Sequence, residues 1–132
     1  MELLKVSDLS AFYGQIQALH GISFAMDEGS VTTILGANGA GKTTTLRSIC
    51  GMVRTEGSVT MAGEEIRGKA TESIVRTGIA HVPEGRGTFT RVTTEENLQL
   101  GAYTRGSSSD VKDDIERVYN YFPRLKERHN QQ

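Results

Sequence analysis

An α/β fold is predicted by three features of the sequence. Short stretches of alternating apolar residues occupy its first part. A β-branched run, "VTTILG" at residues 31–36, leads directly into a glycine-rich loop. Helical patterns follow that loop and fill the last third of the chain.

Residues 3–9 carry Leu4 and Val6 in alternation, with Leu9 off register, which predicts a short strand. "GISFAMDEG" predicts a second: Ile22, Phe24 and Met26 alternate, and Asp27 to Gly29 close it with turn residues. "VTTILG" suits a buried strand ending at Gly36. A helix is expected over about residues 43–51. Within it Leu46, Ile49, Cys50 and Val53 form an apolar stripe, so the single cysteine reads as a buried small hydrophobe.

"EGSVTMAGEEI" predicts a strand, a glycine turn and a short return strand. "TESIVRTG" predicts a short helix closed by Gly78 as a left-handed cap. "IAHV" predicts a short buried strand stopped by Pro83. Thr93 with Glu96 three residues later is a capping box that opens a helix. Val111, Ile115, Val118, Tyr119 and Phe122 fall on one face of another helix, which Pro123 ends. The polar tail "RLKERHNQQ" is expected to form no final element.

Composition bounds the function. The chain has 132 residues, one domain's worth. Its 15 basic and 16 acidic residues leave a net charge of −1, which argues against a nucleic-acid partner. One cysteine allows no intrachain disulfide. There is no secretory signal pattern and no apolar stretch near ~18 residues. A soluble, cytoplasmic protein is expected.

The chemistry concentrates in "LGANGAGKTTTL". Residues 36–43 match G-x-x-x-x-G-K-[ST]. Gly36, Gly39 and Gly41 let the backbone take positive φ and approach an anion with no Cβ in the way. Successive N–H groups then form a concave nest for phosphate oxygens. The helix that follows aims its positive N-terminal end at the same place. Lys42 puts a compact cation on the β- and γ-phosphates. The hydroxyl of Thr43 suits Mg²⁺, and that of Thr44 the α-phosphate. Asn38 and Ala40 complete the candidate binding set. His20, His81 and His129 show no metal-ligand spacing and read as structural or solvated.

"GANGAGKTTTL", preceded by "LHGISFAMDEGSV", resembles the nucleotide-binding subunits of ABC transporters. "FYGQIQAL" resembles the adenine loop, which implies that Tyr13 stacks on the base. "GSVTMAGEEI" resembles the hairpin after the first helix, and "GIAHVPEGRGTFTRVTTEENLQLGAY" the Q-loop region. Glu84 stands where that family usually has glutamine. With "PEGR", this is most similar to the second ATPase of branched-chain amino acid (leucine/isoleucine/valine) importers.

The resemblance implies a P-loop NTPase fold of the ABC type. Its first half comprises an antiparallel β subdomain, the P-loop strand and helix, and the start of the helical subdomain. Residues 1–92 are the expected β-rich and P-loop portion, and residues 93–132 the start of the helical subdomain. ATP and Mg²⁺ are the implied ligands. Glu84 is placed by the resemblance near the γ-phosphate and Mg²⁺, against the coupling helix of a membrane subunit. Implied partners are membrane-spanning permease subunits and a second ATPase subunit, at the inner face of the plasma membrane. The family's "LSGGQ" segment, aspartate-ending strand, catalytic glutamate and switch histidine are not found in the sequence. The chain is thus expected to be truncated before the signature segment, to lack a catalytic residue of its own, and to self-associate.

Two other classes share the loop. A GTPase carries an N-K-x-D motif, which is missing here. A small-molecule kinase carries an arginine-rich lid, for which Arg86 and Arg91 are the available pair. A non-catalytic interaction fragment is the third alternative, separated from the first by whether nucleotide binds.

Overall fold

The computed structural model describes residues 1–37, 39, 41–85 and 87–132. Asn38 and Ala40 of the candidate binding set, and Arg86 of the candidate lid pair, lie outside the described residues. The chain divides into two compact units, Met1–His81 and Val82–Gln132.

The first unit is built on a four-stranded antiparallel sheet. Its strands are β1 (Glu2–Tyr13), β2 (Ile16–Asp27), β3 (Arg54–Met61) and β4 (Glu64–Glu65), in the order β2-β1-β3-β4. Helix α1 (Lys42–Ile49) packs against β1, β2 and β3, and α2 (Thr71–Arg76) contributes the buried Ile74. Val6, Leu9, Ala11, Leu19, Ile49, Val59, Ile66 and Ile74 form the core.

β1 is longer than the short strand expected, and the off-register Leu9 has a local cause. The β1–β2 register shifts between Val6 and Leu9, and Asp8 takes φ 49°. This bulge inserts an extra residue, so Val6 and Leu9 both face the core. The same irregularity requires a glycine across the sheet. Gly57 sits at φ 105°, and a Cβ there would lie 2.3 Å from the Asp8 carbonyl oxygen. Ile22, Phe24 and Met26 alternate as expected, each half-buried between exposed neighbours.

Two expected strands are corrected. Residues 31–36 and 79–82 form no strand. Val31 is 95% exposed and Leu35 85% exposed. A parallel strand is stable when neighbours satisfy its backbone and cover both faces. The described sheet is wholly antiparallel, and neither run has a sheet partner in it. Ile34 and Ile79 instead line an apolar cleft of about 340 Å³ with Phe24, Leu46, Ile49 and Cys50. Cys50 is buried, as expected, and burial pushes its thiol above the usual range. Leu46 is more open than its place in the apolar stripe suggests.

The second unit is helical: α3 (Thr94–Gly101), α4 (Ser108–Tyr121) and α5 (Pro123–Glu127). The capping box forms as predicted. Thr93 Oγ1 accepts from Glu96 N at 3.2 Å, and the Glu96 carboxylate accepts from Thr93 N at 3.3 Å. α4 ends before Pro123. The tail, however, is not element-free. Pro123 is the first residue of α5, where its missing N–H costs nothing and its fixed φ suits a helix start. The tail then returns to the start of α3, where Thr94 N and Glu95 N donate to the carbonyls of Gln131 and His129 at 2.8 and 3.0 Å.

Candidate functional site

The β1–β2 hairpin and the start of α1 carry the site. The hairpin turns at Gly14, and Arg54 holds its tip. The guanidinium lies 4.4 Å from the centroid of the Phe12 ring and donates to the Gly14 carbonyl at 3.2 Å. Tyr13, next to both anchored residues, is 41% exposed. Its hydroxyl hydrogen-bonds Thr44 Oγ1 at 3.2 Å, so the hairpin tip reaches the first turn of α1.

Gly41 is the N-cap of α1, at φ 97° and ψ 10°. It offers no side-chain cap, so the first N–H groups of α1 keep their capacity for an incoming acceptor. The position demands glycine twice over. Its φ lies in the left-handed region, and a Cβ would stand 2.7 Å from Leu19 Cδ2. Thr45, directed inward, caps nothing outside the helix; its N and Oγ1 both donate to the Gly41 carbonyl, at 2.8 and 2.7 Å. The Lys42 ammonium donates to the Gly36 carbonyl at 2.5 Å, so it spans the loop.

These elements enclose an open concavity of about 630 Å³, lined by Gln17, Ala18, His20, Gly39, Gly41, Lys42, Thr43 and Thr44. Its size falls within the roughly 300–1,000 Å³ of small-molecule sites. Lys42 is the one charged residue among the described lining residues, and it is a cation. An ammonium, two hydroxyls and an uncapped helix start fit a polyphosphate. The Thr43 hydroxyl adds a hard oxygen donor. With phosphate oxygens and water, that is the donor set a magnesium ion takes.

The structure therefore brings together Tyr13, Gly36, Gly39, Gly41, Lys42, Thr43 and Thr44. Glu84 is an exposed residue near the start of the second unit. Gln17, Ala18 and His20 were not among the residues expected from sequence. Period-two alternation extended back from Ile22 puts His20 on the core face. A register shift between Leu9 and Ala11, opposite Ile22 and Leu19, breaks that phase. Leu19 and Ile22 both pack into the core, and Ala18 and His20 are among the residues that line the concavity. Gly21, at φ 73° within this irregular stretch, is the signal that could have marked it.

A glycine-rich turn feeding an uncapped helix, with a lysine bridging the turn, defines the P-loop class of phosphate-binding proteins. Within that class the chain belongs to the ABC transporter family, whose model matches residues 19–132. It is 43% identical over 130 residues to BraG, a high-affinity branched-chain amino acid transport ATP-binding protein of Pseudomonas aeruginosa. That match takes in 98% of this chain and 55% of BraG. It is 34% identical over 125 residues to LivF of Archaeoglobus fulgidus, a probable branched-chain amino acid transport ATP-binding protein, covering 94% of this chain and 52% of LivF. Among solved structures it is similar to an ATP-binding subunit of an ABC transporter. The TM-score is 0.84 at 30% identity, over 98% of this chain and 53% of that one. The ABC-type fold expected from sequence is thus the fold observed. The chain spans about half the length of the curated relatives it matches.

Proposed function

We propose that this chain is the nucleotide-binding part of an ABC importer ATPase that serves branched-chain amino acids. The carrying observation is the concavity at the start of α1, where Lys42, Thr43 and Thr44 converge with the glycine loop. The transport roles of BraG and LivF support the choice of importer and solute class.

In this proposal the loop backbone at Gly36, Asn38, Gly39, Ala40 and Gly41 cradles the phosphates of ATP. Lys42 exchanges the Gly36 carbonyl for the β- and γ-phosphates. Thr44 Oγ1, now bonded to Tyr13, turns to the α-phosphate. Tyr13 offers its exposed ring face to the adenine. The Thr43 hydroxyl would hold Mg²⁺, which when bound would neutralise phosphate charge. Permease subunits and a second ATPase subunit are the proposed partners, which places the assembly at the inner face of the plasma membrane. Among the described residues no helix is long and apolar enough to cross a membrane.

Titration of the purified chain with fluorescent ATP and GTP analogues, with and without Mg²⁺, tests this. Saturable binding that prefers ATP, tightens with Mg²⁺ and is lost in Lys42→Ala is the expected outcome. A preference for GTP moves the chain to another P-loop class. No binding of either leaves an interaction fragment.

A further inference from the structure

We propose that Arg54 is a positioning residue for the nucleotide base: it anchors the β1–β2 hairpin tip and so holds Tyr13 in the orientation that stacking needs. This deepens the nucleotide-binding proposal above and rests on its reading of Tyr13.

The tip is the part of the sheet that needs an anchor. Arg54 is the first residue of β3, and its pairing with Phe12 is the last in the β1–β3 ladder. Beyond that pair the sheet continues as two strands, with Tyr13 opposite Ile16 and Gly14 at φ 61° in the turn between them. A two-stranded ribbon is marginal by itself in water. Arg54 reaches past the end of its own strand to secure it. One guanidinium nitrogen donates to the Gly14 carbonyl at 3.2 Å, and the guanidinium carbon lies 4.4 Å from the centroid of the Phe12 ring. The residues on both sides of Tyr13 are thus tied to one side chain.

Arg54 acts from outside the site. Directly paired residues project to one face of an antiparallel sheet, and the next residue along a strand projects to the other. Arg54 and Phe12 therefore share one face, and Tyr13 takes the opposite one, where its hydroxyl meets Thr44 Oγ1 at 3.2 Å. Thr44 lines the concavity, and Arg54 is not among the described lining residues. An unanchored tip would let the Tyr13 ring sample many orientations, and a base that stacks on it would have to order it first. Arginine suits the task because its planar group stacks on a ring and donates in its own plane at the same time, which a lysine ammonium cannot do.

The test uses the full chain, with ATP and inorganic tripolyphosphate as probes; tripolyphosphate carries the phosphates without the base. Affinities are measured by calorimetric titration at fixed Mg²⁺ for the parent, Arg54→Ala, Arg54→Lys, Tyr13→Ala and the double variant Arg54→Ala with Tyr13→Ala. Arg54→Ala should weaken ATP about tenfold, within what the loss of one base–aromatic stack costs, and leave tripolyphosphate within about twofold of the parent. Arg54→Lys should weaken ATP about threefold, because it keeps one of the two contacts. Once Tyr13 is replaced by alanine, removal of Arg54 should weaken ATP no further, since it acts through that ring. Equal losses of ATP and tripolyphosphate in both Arg54 variants, or an Arg54→Ala effect undiminished in the Tyr13→Ala background, overturn the inference. So does ATP binding that Lys42→Ala and Tyr13→Ala weaken and Arg54→Ala does not; that result leaves the nucleotide site standing. ATP affinity unmoved by Tyr13→Ala removes the base-stacking reading and this inference with it. Absence of any ATP binding overturns the nucleotide proposal as a whole.

Discussion

Replacing Gly41 by alanine should damage the site through two separable terms. The first is backbone strain. Gly41 holds φ 97°, a conformation that costs an L-residue about 1–3 kcal/mol. The second is steric. The new Cβ would stand 2.7 Å from Leu19 Cδ2, and Leu19 is buried among Leu9, Ile49 and Val59, so its displacement disturbs the core. Overpacking of that kind costs about 1–3 kcal/mol more. Gly39 supplies the internal control: its φ is 88°, yet a Cβ there meets open space. Gly39→Ala should therefore show the strain term alone. Urea denaturation of both variants gives the difference directly. The double variant Gly41→Ala with Leu19→Ala removes the clashing atom, so the two substitutions should be less than additive by at least about 0.5 kcal/mol. If Gly41→Ala is no more destabilising than Gly39→Ala and shows no coupling to Leu19, the proposed seating of the loop on β2 is wrong.

Lys42→Ala should weaken ATP by about 2–3 kcal/mol, or about 30- to 150-fold, because a charge-assisted contact is lost; affinity within twofold of the parent refutes the phosphate-loop assignment. Tyr13→Ala should weaken ATP while Tyr13→Trp retains it, since stacking needs an aromatic face. Tyr13→Phe isolates the hydroxyl that bonds Thr44, and equal loss in all three would make Tyr13 a packing residue. The chain by itself should not hydrolyse ATP, because positioning the attacking water takes a group beyond those assigned here. It should also self-associate through the apolar, unpaired run at residues 31–36. A phosphate-release assay with light scattering checks both, and turnover above blank from a clean monomer refutes both.

Local features of this fold were legible in the sequence, and features that depend on a neighbour were not. The capping box of Thr93 and Glu96, the α1 start at the glycine loop and the β3–β4 hairpin are each specified by residues close together in the chain. The turn from Gly36 to Lys42 was legible for the same reason: its glycines and lysine stand close together in the chain. The strand expected over residues 31–36 was read correctly as β-branched and apolar, but strand formation is decided by hydrogen-bonding partners, which composition does not reveal. That His20 lies off the core face was not legible, because one extra residue on β2 between Leu19 and Ile22 overrides alternation, and alternation is the signal a strand gives. α5 was missed because the residues after Pro123, Arg124 to Glu127, carry no periodicity, while Pro123 itself supplies a ready-made helix start.

The contact between the Lys42 ammonium and the Gly36 carbonyl makes anion capture an exchange. The lysine closes a ring back to Gly36, six positions earlier in its own backbone, and is bound to a neutral oxygen. An arriving anion must displace that oxygen and gains the difference between two acceptors. A chloride or a lone carboxylate, itself well hydrated and singly charged, gains little by the trade. A chain of phosphates presents several charged oxygens at once, to the ammonium, the helix start and both threonine hydroxyls. If the proposed binding mode holds, the loop would select by the number and spacing of charges a ligand brings.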